Sequence, residues 1–181
     1  MILIGIDEVG RGCVAGPVVA ASVVIDTANF SIKVTDSKLL SQKQREYFDS
    51  EIKSHCLDFS ISIIEPEVID KINIHYASLL AMKRSYEGLK IKSKNVKCDG
   101  KFIPEIENIS CHIKGDLFFK EISAASILAK VYRDHLMQSI AQNYPQYFFE
   151  KHKGYLTKIH KDAIDKYGAT PIHRKSFKPF S

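Results

Sequence analysis

Asp7 and Glu8 stand side by side after an apolar, isoleucine-rich run, Ile2–Ile6, and a glycine-arginine-glycine turn, Gly10-Arg11-Gly12, begins one residue later. Such a run buries well in a sheet, but two adjacent carboxylates cannot be buried without partners. Their mutual repulsion calls for a cation, and an oxygen-only donor set suits a hard divalent ion such as Mg2+ or Mn2+. The glycines let backbone amides approach a ligand closely, and Arg11 places positive charge beside them. A metal-binding acid pair next to an anion-accepting turn points to metal-dependent chemistry on a phosphodiester.

Two more acids follow β-type runs: Asp99 in Cys98-Asp99-Gly100, and Asp116 in Lys114-Gly115-Asp116. Carboxylates at the ends of neighbouring strands converge on one crevice. There they can hold two divalent ions about 4 Å apart and clamp the attacking and leaving oxygens of a phosphodiester displacement. Taken alone, Asp99 is equally well explained as the first residue of an Asp-Gly turn. For the adjacent pair Asp7-Glu8 after a buried strand, a functional role is favoured over a loop position.

The remaining polar residues carry weaker signals. Asp134 follows Arg133 inside a helix, where a local ion pair on a solvated face is expected. Lys38, in the polar loop Asp36-Ser37-Lys38, is either a phosphate contact or a solvated lysine. His152 and His160 flank Tyr155 without metal-ligand spacing, which favours phosphate contact or exposure over zinc. Tyr155, freed by Gly154 and beside Lys153, is placed to stack on a sugar or base, or else is a half-buried surface tyrosine.

The elements that must position these residues are legible in outline. Strands are predicted at Ile2–Ile6, Val18–Ile25, Leu57–Ile64, Val96–Cys98 and Ile109–Ile113. Ser41 and Gln44 form a capping-box pattern that starts a helix. A short helix begins at Pro66, and a longer amphipathic one covers Ile74–Leu89. A strong helix over Ile122–Ala141 carries the small residues Ala124, Ala125, Ser126 and Ala129, which permit close packing on a sheet. The last portion is basic and histidine-bearing, with a helix near Thr157–Tyr167. One α/β domain over residues 1–181 is the expectation, with residues 145–181 a small helical, basic C-terminal appendage contributing to substrate binding.

The bulk properties fit. The chain has 181 residues, 45% hydrophobic and 26% charged, enough for one buried core and too ordered in composition for disorder. A formal charge of +5 suits a polyanionic partner without demanding one. Cys13, Cys56, Cys98 and Cys111 show neither zinc-type pairing nor a disulfide framework, so they are expected to be reduced and structural. No signal peptide and no apolar stretch of membrane-spanning length is present, so a soluble, cytoplasmic protein is expected.

Together these motifs resemble the bacterial ribonuclease HII family, the type 2 ribonucleases H. The resemblance runs in order over nearly the whole chain. It takes in Gly5-Ile6-Asp7-Glu8-Val9-Gly10-Arg11-Gly12, Ala15-Gly16-Pro17-Val18, Asp36-Ser37-Lys38, Asp99-Gly100 and Lys114-Gly115-Asp116. It continues with Ser123-Ala124-Ala125-Ser126-Ile127-Leu128-Ala129-Lys130, Arg133-Asp134, His152-Lys153-Gly154-Tyr155 and Thr170-Pro171-Ile172-His173-Arg174. It implies an α/β ribonuclease H-like fold with a mixed central β-sheet flanked by helices. It also implies that Asp7, Glu8, Asp99 and Asp116 bind the metals, two Mn2+ or Mg2+ ions in the substrate complex.

Gly10, Arg11 and Gly12 would read the ribose 2′-hydroxyl, Tyr155 would complete recognition of the ribonucleotide next to DNA, and Lys38 would contact backbone phosphate. The implied activity is endonucleolytic hydrolysis of RNA in RNA–DNA hybrids. The same activity would nick duplex DNA on the 5′ side of embedded ribonucleotides, leaving 5′-phosphate and 3′-hydroxyl ends. The partners implied are these nucleic acids, with the protein a monomer and no membrane involved. The family usually has proline at position 13, lysine at 39 and glycine at 156. Here Cys13, Leu39 and Leu156 stand instead, which removes a phosphate-facing cation and stiffens the segment after Tyr155.

Overall fold

A computed structural model describes residues 1–33, 37 and 39–181. Lys38 and Asp36 therefore lie outside the described residues. Among the described residues the five strands are β1 (Ile2–Val9), β2 (Val18–Asp26), β3 (Asp58–Ile64), β4 (Val96–Asp99) and β5 (Ile109–His112). They form one sheet in the order β3-β2-β1-β4-β5. β1 and β2 pair antiparallel, as do β2 and β3, while β4 runs parallel to both β1 and β5, so the sheet is mixed.

Among the described residues six α-helices accompany it: α1 (Gln42–His55), α2 (Pro66–Glu87), α3 (Gly115–Phe118), α4 (Lys120–Asn143), α5 (Phe149–His152) and α6 (Lys158–Tyr167). The capping box at Ser41 forms as the sequence predicts, with Gln44 answering the Ser41 backbone. The two helices expected around Pro66 and Ile74 meet at a kink. Asn73 adopts φ 64° there, and its side chain accepts the amides of His75 and Tyr76, starting the second segment. Among the described residues no helix is long and apolar enough to cross a membrane.

Alternation along β1 divides the interior in two. Ile4 and Ile6 pack with Val18, Ala20, Ala77, Ala81 and Met82 on the α2 side. On the other side Val19, Ala21, Val23 and Ile25 meet Ala124, Ala125, Leu128 and Ala129 of α4, with Ile52 of α1. The small residues of α4 let it approach closely, and Gly5 makes the approach closer still. A Cβ at Gly5 would lie 2.1 Å from the Glu121 carbonyl. A third cluster joins Val14 and Ala15 to Met137, Tyr147, Phe149, Ala163 and Ile164, which seats the C-terminal helical part against the turn after β1.

Three expectations change. β1 does not stop at Ile6 but carries Asp7 and Glu8 within it, paired with Ala21 and Ala20 of β2, because ladder hydrogen bonds continue past the apolar run. Cys98 and Cys111 are bonded as a disulfide and are not both free thiols. The parallel register places them opposite each other with Cα atoms 4.8 Å apart. Arg133 and Asp134 form no ion pair on a solvated face, for both are buried. Asp134 pairs with Lys130 at 2.8 Å, one helical turn away. Arg133 instead donates to the carbonyls of Pro17, Ala15 and Lys153.

Candidate active site

The two β1 acids point to opposite faces, Asp7 toward α4 with Gly5 and Glu8 toward α2 with Ile4 and Ile6. At the strand's end both still reach the same opening. Asp7 is buried, and its Oδ1 accepts the Glu8 amide at 2.7 Å. Burial drives the Asp7 carboxyl well above the ordinary carboxylate range, and the charges of Glu8 and Asp99 push it the same way. The Ser126 hydroxyl, from the small-residue face of α4, opposes that shift by hydrogen bonding to the ionised form.

Glu8 is also raised, chiefly by burial and in part by Asp99, against the pull of Arg11. Arg11 Nη1 meets Glu8 Oε1 at 3.3 Å. The other oxygen, Oε2, is buried without a hydrogen-bond partner among the described residues.

Asp99 arrives on β4, whose parallel register sets Cys98 beside Ile6 and so brings the next residue level with Asp7. Its Oδ1 accepts the Gly115 amide at 2.7 Å. That bond fixes the start of α3 under the end of β4, and Asp116, buried, is the second residue of α3. Asp116 thus comes from a one-turn helix and not from a strand end. Asp7, Glu8 and Asp99 line a cleft of about 380 Å³ together with Ser37, Ser126, Lys130 and Tyr155. Asp116 adjoins the cleft through the Gly115 contact.

The turn at Gly10 follows two residues after Glu8. Gly10 has φ +93°, and a Cβ there would lie 2.3 Å from Arg133 Nε. The Arg11 carbonyl accepts from Arg174 Nη1 at 3.0 Å. Burial lowers the Arg174 guanidinium to about 10. Tyr155 is exposed, and its ring edge is the nearest group above Gly12. The Gly154 carbonyl accepts from Val14 at 2.9 Å, and a Cβ at Gly154 would lie 2.2 Å from the Ala15 carbonyl oxygen. Only glycine fits there. The fold therefore brings Tyr155 over Gly12 in the turn Gly10-Arg11-Gly12.

The histidines differ from expectation. His152 and His160 are neither phosphate contacts nor exposed; both are buried behind Tyr155. Sequence reasoning also missed Ser37, Ser126 and Lys130 as cleft residues. For Ser126 the available signal was a lone hydroxyl on the sheet-facing row of an alanine-rich helix.

This donor set is all oxygen, repulsive and short of positive charge, which fits a hard divalent cation. Among the described residues no three of His, Cys, Asp or Glu stand together as a ready metal cage.

Comparison with known proteins follows the same line. The family model described as Ribonuclease HII matches residues 4–180. A ribonuclease HII of Borrelia recurrentis (strain A1) is 51% identical over 180 residues, covering 98% of this chain and 99% of that protein. The crystal structure of the ribonuclease H2 from Pyrococcus horikoshii OT3 has a TM-score of 0.86 at 27% identity, covering 99% of this chain and 95% of that one. Bst-RNase HIII, solved in complex with Mn2+, has a TM-score of 0.76 at 16% identity, covering 99% of this chain and 68% of that one, a likeness of fold.

Proposed function

Because the chain belongs to the ribonuclease HII family, we propose that the cleft between β1, β4 and α4 is where this ribonuclease H cuts its substrate, with Asp7, Glu8, Asp99 and Asp116 as its metal-binding acids. The enzyme is an endonuclease that hydrolyses RNA in RNA–DNA hybrids, and nicking on the 5′ side of ribonucleotides embedded in duplex DNA fits the family. The single observation that carries the assignment is electrostatic. Three carboxylates face one opening, burial and mutual repulsion raise Asp7 and Glu8, and a Glu8 oxygen is left buried without a partner among the described residues.

Two Mn2+ or Mg2+ ions, when bound, would neutralise charge on the scissile phosphate and on the departing 3′ oxygen. The chain's own groups do the rest. Ser126 favours the ionised form of Asp7 by hydrogen bonding to it, and Arg11 engages one Glu8 oxygen, leaving the other without a hydrogen-bond partner among the described residues. Lys130, on the cleft wall, offers positive charge to the phosphate backbone. The Gly10-Arg11-Gly12 backbone reads the 2′-hydroxyl, the group that separates RNA from DNA, and Tyr155 stacks on the adjoining sugar. Residues 1–181 act as one catalytic unit, to which the basic 145–181 segment contributes binding.

The test is cleavage of three duplexes: one with a single embedded ribonucleotide, one all-DNA, and one RNA–DNA hybrid. Cutting of the first and third with 5′-phosphate and 3′-hydroxyl ends, in the presence of either ion, supports the reading. Cutting of the all-DNA duplex at a comparable rate would refute it.

A further inference from the structure

The Lys153-Gly154-Tyr155 segment is backed by three buried histidines, His152, His160 and His173. Their partners fix every ring proton. His160 Nδ1 lies 2.9 Å from the Tyr155 carbonyl, which can only accept, so Nδ1 carries the proton and Nε2 is bare. The bare Nε2 lies 3.0 Å from His173 Nε2, which must therefore be the donor. That leaves His173 Nδ1 as an acceptor, and it receives the Thr170 amide at 2.9 Å, with the Thr170 hydroxyl 2.8 Å away. His152 is ordered the other way. Its Nε2 donates to the Tyr147 carbonyl at 2.8 Å, and its Nδ1 receives the Gly154 amide at 3.2 Å.

The network is consistent only with three neutral rings of defined tautomer. It ends on the recognition segment from both sides. His160 holds the Tyr155 carbonyl, His152 holds the Gly154 amide, and the His152 carbonyl takes the Tyr155 amide at 3.0 Å. The rings of His152 and His160 stack 4.3 Å apart, with Phe149 edge-on to both.

We propose that His160, oriented by His173 and Thr170, is a positioning residue for ribonucleotide recognition. It fixes the backbone of Tyr155 so that the ring stands over Gly12. This rests on the role given to Tyr155 above. Discrimination between a single ribonucleotide and a long hybrid then depends on one proton, that on His160 Nδ1.

Two measurements on the full chain test it. In long-range proton–nitrogen NMR spectra, His160 should be protonated at Nδ1, and His152 and His173 at Nε2. A His160 protonated at Nε2 would overturn the relay, and this arm needs no variant. The second arm exploits side-chain geometry. In His160→Asn the amide nitrogen sits where Nδ1 was and keeps the donor to Tyr155. In His160→Gln the amide reaches only the far nitrogen's place and keeps the His173 contact instead.

The ratio of specificity constants, single ribonucleotide over long hybrid, should stay near wild type in His160→Asn and fall about tenfold in His160→Gln. Equal ratios in the two variants, or the reverse order, would overturn the proposal. Tyr155→Ala is run beside them. A loss there without a loss in His160→Gln refutes the relay alone. An unchanged ratio in Tyr155→Ala refutes the role of Tyr155 and with it the positioning role of His160.

Discussion

Gly10 lies against the guanidinium of Arg133, with a Cβ at that position only 2.3 Å from Nε. Arg133 is fully buried and is held by the carbonyls of Ala15, Pro17 and Lys153. One side chain thus ties the turn that follows the acid pair to the segment carrying Tyr155. Gly10→Ala must displace that guanidinium while adopting φ +93°. The left-handed backbone alone costs about 1–2 kcal/mol in a residue with a Cβ. Thermal unfolding should fall accordingly, and cleavage should drop on every substrate. A variant with wild-type melting and turnover would show that the turn accommodates a side chain.

Asp7→Asn and Asp99→Asn should each nearly abolish cleavage at saturating Mg2+ while leaving substrate binding largely intact, since each removes a charge that the reaction needs and not a contact to the duplex. Asp7→Asn carries a second signature. The Asp7 carboxyl is raised in the folded protein, so at neutral pH its ionised form opposes folding. The metal-free variant should therefore melt above metal-free wild type, and added Mn2+ should narrow the gap by stabilising only wild type. Near-normal turnover in either variant would remove that residue from the site.

Tyr155→Ala should lose about ten- to a hundredfold in specificity constant on a single ribonucleotide in DNA, the usual worth of a base- or sugar-stacking ring. Tyr155→Phe keeps the ring and should lose less. The loss should be smaller within a long RNA strand, where neighbouring ribonucleotides offer other contacts. Equal, small losses on both substrates would make Tyr155 an ordinary surface tyrosine.

Acid should weaken the fold through the histidine cluster. Burial holds His160 and His173 at about 4, well below the ordinary 6.5. The unfolded chain binds protons first, so stability falls as pH drops from the unfolded value toward the folded one and is flat outside that window. A fully displaced imidazole contributes on the order of 3 kcal/mol across it. Asp7 and Glu8, being raised, act in the opposite sense, so the comparison is made against a variant. The stability advantage of wild type over His160→Asn, from denaturant unfolding, should shrink between about pH 7 and about pH 4.5. An advantage independent of pH would mean that His160 titrates in the native protein as it does in the unfolded chain.

How far the sequence reached depended on the kind of information needed. Periodicity and caps located every strand and the helices starting near Ser41, Pro66 and Ile122, because those signals are local. Asp7 and Glu8 were legible because two adjacent carboxylates at the end of an apolar run repel each other and need a cation to be buried there. Register was not legible. Only the parallel pairing of β4 and β5 shows that Cys98 faces Cys111. Burial of polar groups was hardest to read. Arg133, Arg174, His160 and His173 look like surface residues by type; the arginines become interior because backbone carbonyls distant in sequence converge on them, and the histidines because they satisfy each other and the Tyr155 and Thr170 backbone.

The contact between Gly5 and Glu121 is made by main chain on the β1 side, since Gly5 has no side chain to intervene. The distance from the strand bearing Asp7 to the helix bearing Ser126 is consequently a property of the polypeptide backbone, and not of how large the neighbouring core residues are. The same arrangement leaves position 5 with no tolerance. There even a methyl group acts as a wedge between the acid and the hydroxyl that holds it.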